Sequence, residues 1–97
     1  MAKAYWCTTY RKINDPERLA AYARLATPAI ADGGGRFLIR GVAAFAHGAG
    51  VKERTVVIEF ESLEKAMSAF NSRGYQAALD VLGDAVERDL RIVEGVE

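Results

Sequence analysis

Three charged residues on separate strand-like stretches, Arg40, Glu59 and Arg91, are the first candidates for chemistry in this chain. On alternation, all three are expected on one sheet face with Val57. Two readings of such a trio stay open. It is an interfacial ion network, because buried charge has to pair, or it is a basic clamp for a small carboxylate, since the guanidinium fork suits bidentate capture. His47 is the only histidine, the only side chain whose reference pKa lies near neutrality, and hence a candidate proton acceptor. The commoner fate of a histidine beside hairpin glycines is simple exposure. Tyr22 and Asp15 are weaker catalytic candidates: the phenol can point into a cavity, and the carboxyl lies near a strand end. Asp15 also has a sufficient structural role as a helix cap.

Other chemistry-bearing residues read more plainly. Trp6, Tyr22, Phe70 and Tyr75 can border a cleft, but aromatics at these spacings are usually core. Cys7 sits inside a strand without a nearby histidine or second cysteine, as a small buried hydrophobe would. Gly33-Gly34-Gly35 follows a helix rather than opening one, and no Lys-Ser or Lys-Thr pair succeeds it. A helix stop is therefore expected, not a phosphate loop. No spacing suggests a metal site.

The elements that must position these residues follow from pattern. Ala4 to Tyr10 reads as a strand, rich in aromatic and β-branched residues and covered on both faces. Asn14-Asp15-Pro16-Glu17 starts a helix whose stripe is Leu19, Tyr22, Ala23, Ala26 and Ile30, with a kink expected before Pro28. Arg36 to Ala46 is a second strand with Phe37 and Ile39 on one side and Arg36, Leu38 and Arg40 on the other; Gly41 marks a bulge or bend. His47-Gly48-Ala49-Gly50 is a short turn to the strand Arg54 to Phe60. Ser62 caps a second helix with Leu63, Ala66, Met67 and Phe70 on its apolar stripe; broken at residues 71–74, it resumes from Tyr75 to Leu82. A last strand runs from Arg88 to Glu94, with Leu90 and Ile92 set against Asp89, Arg91 and Val93. The order β-α-β-β-α-β specifies an α+β, ferredoxin-like domain: a four-stranded antiparallel sheet with two helices on one face. Tyr5, Cys7, Leu38, Val57 and Val93 then crowd the bare face, too much apolar surface to stay wet, and a second copy of the chain is the expected cover.

Composition sets outer bounds. The 97 residues make one domain, 51% hydrophobic and 27% charged, which excludes disorder. Thirteen basic residues balance thirteen acidic ones, so the footprint of a nucleic-acid or membrane binder is missing. Aliphatic strand faces also lack the stacking platform an RNA-binding sheet needs. One cysteine permits no intrachain disulfide, and no stretch resembles a secretory leader or a membrane span, so the cytoplasm is the expected setting.

Read together, Ala4-Tyr5-Trp6, Asp15-Pro16-Glu17, Tyr22, Gly34-Gly35-Arg36-Phe37-Leu38, Arg40-Gly41, Arg54, Val56-Val57-Ile58-Glu59-Phe60, Ser62, Ala66, Tyr75-Gln76 and Val93-Glu94-Gly95 resemble the family known as domain of unknown function 1330 across nearly the whole chain. That resemblance implies a subunit of the dimeric α+β barrel group, in which two four-stranded sheets associate through their faces. Relatives in that group range from cofactor-free monooxygenases to proteins with no known activity, so it does not specify a reaction. Family members often place an acid before the hairpin glycine; here His47-Gly48 stands there, and no role for that acid carries over.

The expected function is a homodimer that binds, and in one version transforms, a small organic molecule without cofactor or metal. Its pocket between sheet and helices would be lined by Tyr22, Arg40, His47, Arg54 and Tyr75, with a small organic acid as the ligand. The alternative is a non-catalytic structural or regulatory dimerisation module with a filled interior and fully paired charges.

Overall fold

The computed structural model describes residues 2–96. Its elements are β1 (Ala4–Ile13), α1 (Pro16–Asp32), β2 (Arg36–Val42), β3 (Arg54–Phe60), α2 (Leu63–Phe70), α3 (Arg73–Leu82) and β4 (Val86–Glu94). All strand pairs are antiparallel, in the order β2-β3-β1-β4. Local chemistry accounts for the helix starts. Asp15 accepts from the Arg18 amide, with Pro16 in the first turn; Ser62 accepts from Lys65 and Ser72 from Tyr75. Each side chain satisfies an amide that the helix itself leaves free.

The core lies on one face of the sheet. Alternate residues of β1 (Ala4, Trp6, Thr8, Tyr10) and β3 (Val56, Ile58, Phe60) are buried against Leu19, Tyr22, Ala26 and Ile30 of α1, Ala66 and Ala69 of α2, and Tyr75, Ala78 and Leu82 of α3. Trp6 is its centre, with ring centroids 4.8 Å from Tyr75, 5.6 Å from Phe70 and 6.0 Å from Phe60. Arg18 ties the start of α1 to the end of α3: it donates to the Val81 and Leu82 carbonyls at 3.3 and 3.1 Å and meets Asp84 at 3.0 Å. These are the carbonyls a helix end leaves unpaired.

Several expectations need correction. The sheet is open: β2 and β4 are edges, each hydrogen-bonded on one side only, and no barrel closes. The dimeric α+β barrel implied by the family resemblance is therefore not the architecture of this chain. The helical layer has three helices rather than two, because Asn71 ends α2 and Ser72 starts α3 anew. α1 contains Pro28 and stops at Asp32 before the glycines, as expected. On α2 the small Ala66 and Ala69 are the buried residues, while Leu63 and Met67 of the expected stripe are exposed. β2 ends at Val42, and residues 43–53 form a longer excursion than a tight turn, tethered by Arg11 donating to the Ala49 carbonyl at 3.2 Å.

The most consequential correction concerns β2. Phe37 pairs with Ile58 and Arg40 with Val56, both on the helix side, whereas Ile39 pairs with Val57 on the other. A bulge between Phe37 and Ile39 inserts one extra residue and reverses the parity beyond it. Arg40 therefore points toward the helices and not to the open face. The expected trio is split. Glu59 instead accepts from Tyr5 at 3.2 Å and approaches Lys3 at 3.6 Å and Arg36 at 4.0 Å, while Arg91 pairs with Asp89 at 3.0–3.1 Å in solvent.

Gly35 is where α1 hands the chain to β2. A Cβ there would meet Ile30 Cγ2 at 2.6 Å, Phe60 Cζ at 2.8 Å and the Ile30 carbonyl at 3.0 Å. Gly35→Ala should cost about 1–3 kcal/mol, the usual penalty for overpacking, read as a lower urea midpoint at unchanged slope. A variant as stable as wild type would show that this joint is not tight.

Candidate functional site

Successive cross-strand rows on the helix side change from oily to charged. The first is Phe37, Ile58, Trp6 and Ile92; the next is Arg40, Val56, Thr8 and Leu90. In the last, Arg54 of β3 lies on the same side as Tyr10 of β1, which pairs with Arg88 of β4. α1 roofs them with Tyr22 toward the charged end and Ile30 toward the apolar end. Between roof and floor is a slot of about 30 Å³, lined at the polar end by Thr8, Tyr10, Tyr22, Arg54 and Arg88, with the exposed Arg40 at its rim. That space suits one or two waters or one functional group, well short of the ~300 Å³ of a pocket that engulfs a metabolite.

Arg88 organises the polar end. Its Nη1 donates to Tyr22 Oη at 3.1 Å and Tyr10 Oη at 3.4 Å, and its Nη2 donates to Tyr75 Oη at 3.0 Å. The guanidinium also lies 5.1 Å from the Tyr22 ring centroid and 5.9 Å from that of Tyr10, within cation–π range. Tyr22 and Tyr75 share a further 2.7 Å hydrogen bond. Three phenols thus hold one guanidinium between α1, α3, β1 and β4 with no carboxylate involved. Burial pushes the Tyr22 and Tyr10 hydroxyls up from their usual pKa, against the lowering pull of Arg88. Burial also works against the charge of Arg88, but Tyr22 and Tyr75 outweigh it and the guanidinium stays charged.

Among the described residues, no carboxylate lies within 4.0 Å of the guanidinium nitrogens of Arg40, Arg54 or Arg88, although Glu53 accepts from the Arg54 backbone amide at 3.0 Å. Arg54 Nε is buried without a hydrogen-bond partner. Its guanidinium sits 5.9 Å from the Tyr10 ring centroid, and Arg40 stacks on Phe37 at 4.6 Å. Tyr10 Oη accepts from Arg88 and has no acceptor for its own proton among the described residues. If Tyr75 donates to Tyr22, the Tyr22 proton is likewise directed into the slot. The polar end therefore leaves donors unanswered, Arg54 Nε and the Tyr10 hydroxyl among them. A group that only accepts, such as a carboxylate, completes it; a cation does not.

The slot brings together three of the five expected lining residues, Tyr22, Arg40 and Arg54. Tyr75 is fully buried behind Tyr22 and reaches the slot only through hydrogen bonds. His47 is exposed on the 43–53 excursion, in a separate hollow with Phe45 and Val51 that shares only Tyr10 with the slot. Asp15 is committed to capping α1. Arg88 and Tyr10 were missed by the sequence reading, although Arg88 shares the parity of Leu90 and Ile92, the inward positions of β4.

A family model described as domain of unknown function (DUF1330) matches residues 3–96. No curated protein sequence matches the chain. Among solved structures, a protein of unknown function from Rhodopseudomonas palustris superposes with a TM-score of 0.78 at 16% identity, covering 99% of this chain and 84% of that one. SnoaB, a cofactor-independent oxygenase from Streptomyces nogalater, gives 0.67 at 9% identity, covering 100% and 96%. A dimeric ferredoxin-like protein of unknown function from Thermobifida fusca gives 0.59 at 14% identity, covering 97% and 92%. At these identities the likeness is one of fold alone.

The raised phenol pKa values have a signed consequence. The folded state holds the Tyr22 and Tyr10 protons beyond the pH, near 10, at which the unfolded chain releases them. Their contribution is complete below pH ~10 and is lost as pH rises above it. Thermal melts between pH 8 and 12 should therefore fall steeply on the alkaline side, and Tyr22→Phe should flatten that fall. Equal alkaline slopes for the variant and wild type would contradict the assignment.

Proposed function

From the premise that the chain belongs to the DUF1330 family, we propose that it binds the carboxylate of a small organic acid in the slot between α1 and the sheet. The carrying observation is the set of three guanidiniums around the slot with no carboxylate paired to them among the described residues, one with a buried, unpartnered Nε. Like charges brought together in a partly buried cleft oppose folding, and an anion relieves that repulsion while supplying acceptors to the unanswered donors. The enclosed space admits a head group, and the groups around it are protonated phenols and charged guanidiniums, none of them a ready proton acceptor near neutral pH. Binding is therefore the reading favoured over turnover.

The binding unit is a cytoplasmic homodimer that uses the open sheet face. In support, that face carries Tyr5, Cys7 and Val57, each half-buried, with Ile39 and Val93 about half exposed, too much apolar surface to leave in water. No helix among the described residues is long and apolar enough to cross a membrane.

Arg54→Met separates the two consequences of the unpaired charge. In the free protein it should raise stability by about 0.5–2 kcal/mol, as removal of a function-related liability commonly does. In the wild type, a carboxylate at about 100 times its Kd should add about 2.7 kcal/mol, a Tm gain of roughly 10–20 °C for a domain of this size; in the variant the gain should shrink sharply. A wild type indifferent to every carboxylate in a thermal-shift screen would end the proposal. For the dimer, Ile39→Glu with Val93→Glu should yield a monomer in sedimentation equilibrium at micromolar concentration, whereas a monomeric wild type would remove the dimer.

A further inference from the structure

Resting on the carboxylate reading, we infer that the ligand is an amphipathic monocarboxylate, with its apolar body directed away from Arg54 along the slot toward Phe37 and Ile58. The inference comes from the order of the rows. Along the sheet, the floor passes from Arg54, Tyr10 and Arg88 through Val56 and Thr8 to Phe37, Ile58 and Trp6. The roof changes in the same direction, from Tyr22 through Ala26 to Ile30, one step per helical turn. Polarity therefore falls along a single axis on both walls. A compact, uniformly charged ion such as phosphate would use only one end. A dicarboxylate would carry its second charge among Phe37, Ile58 and Ile30, where the donors are the Trp6 indole N–H and Arg40 at the rim.

The mouth and its limits follow from exposure. The lining residues that reach solvent on this flank are Ala23 and Thr27 of α1 and Phe37 and Arg40 of β2. The ligand thus enters between α1 and the edge strand. β2 is hydrogen-bonded to β3 alone, and its ladder is interrupted by the bulge between Phe37 and Ile39. That strand is the wall most easily displaced to enlarge a slot of about 30 Å³. Arg40, stacked on Phe37, then sits over the apolar body rather than over the head.

The test is isothermal titration of the wild-type protein with acetate, butanoate, hexanoate, benzoate and succinate, with inorganic phosphate for comparison. Affinity should climb about fourfold for each added methylene, the value of burying that group, until the slot is full. Succinate and phosphate should bind more weakly than butanoate. Arg54→Met should weaken every monocarboxylate by a similar factor and keep the gain per methylene. Phe37→Ala should reduce that gain while acetate binding persists. If acetate, hexanoate and phosphate bind with equal affinity, the amphipathic assignment is wrong although anion binding stands. If none of them binds, the carboxylate reading falls with it.

Discussion

A guanidinium held by phenols instead of carboxylates is the interaction on which the rest of this molecule turns. Arg88 draws together β4, β1, α1 and α3 through Tyr10, Tyr22 and Tyr75. An acid in the same place would neutralise it and leave nothing to offer a ligand. Phenols satisfy its donors while leaving its charge intact. One of their own protons is used between Tyr22 and Tyr75, and that of Tyr10 has no acceptor among the described residues. Structural satisfaction and binding capacity come from the same hydrogen bonds, so the cluster can be both part of the core and a site.

Much of the scaffold was legible because its signals are local. Asp15, Ser62 and the Pro16-Glu17 pair announce helix starts with short-range chemistry, and Asp15 and Ser62 do cap α1 and α2. Alternation in β3 sets Ile58 and Phe60 against Val57 and Glu59 without reference to any neighbour, and Ile58 and Phe60 are buried, as is Val56 of the same parity. Trp6 and Tyr75 read as core for the same kind of reason and are among the most buried side chains.

What escaped was non-local. Parity along β2 depends on where the bulge falls, and the bulge sits between Phe37 and Ile39 rather than at the glycine that invites one. A single inserted residue moved Arg40 from one side of the sheet to the other and dissolved the trio with Glu59 and Arg91. Arg88 was missed for the opposite reason. Its position was readable from Leu90 and Ile92, but an inward arginine is implausible until its partners are known, and those lie on three other elements. His47 attracted attention through its titration range alone, which says nothing about whether anything lies beside it. Family resemblance supplied a barrel, yet the chain's own hydrogen bonding leaves both sheet edges open.

One further property follows from the placement of Trp6. It is the sole tryptophan, and its indole meets the Tyr75 ring edge-on at 4.8 Å and 82°. Tyr75 is in turn hydrogen-bonded to Arg88. The indole therefore stands two side chains from the charged end of the slot, shielded from solvent. Its emission is an intrinsic optical gauge of that end, sensitive to rearrangement of the phenols and needing no attached dye.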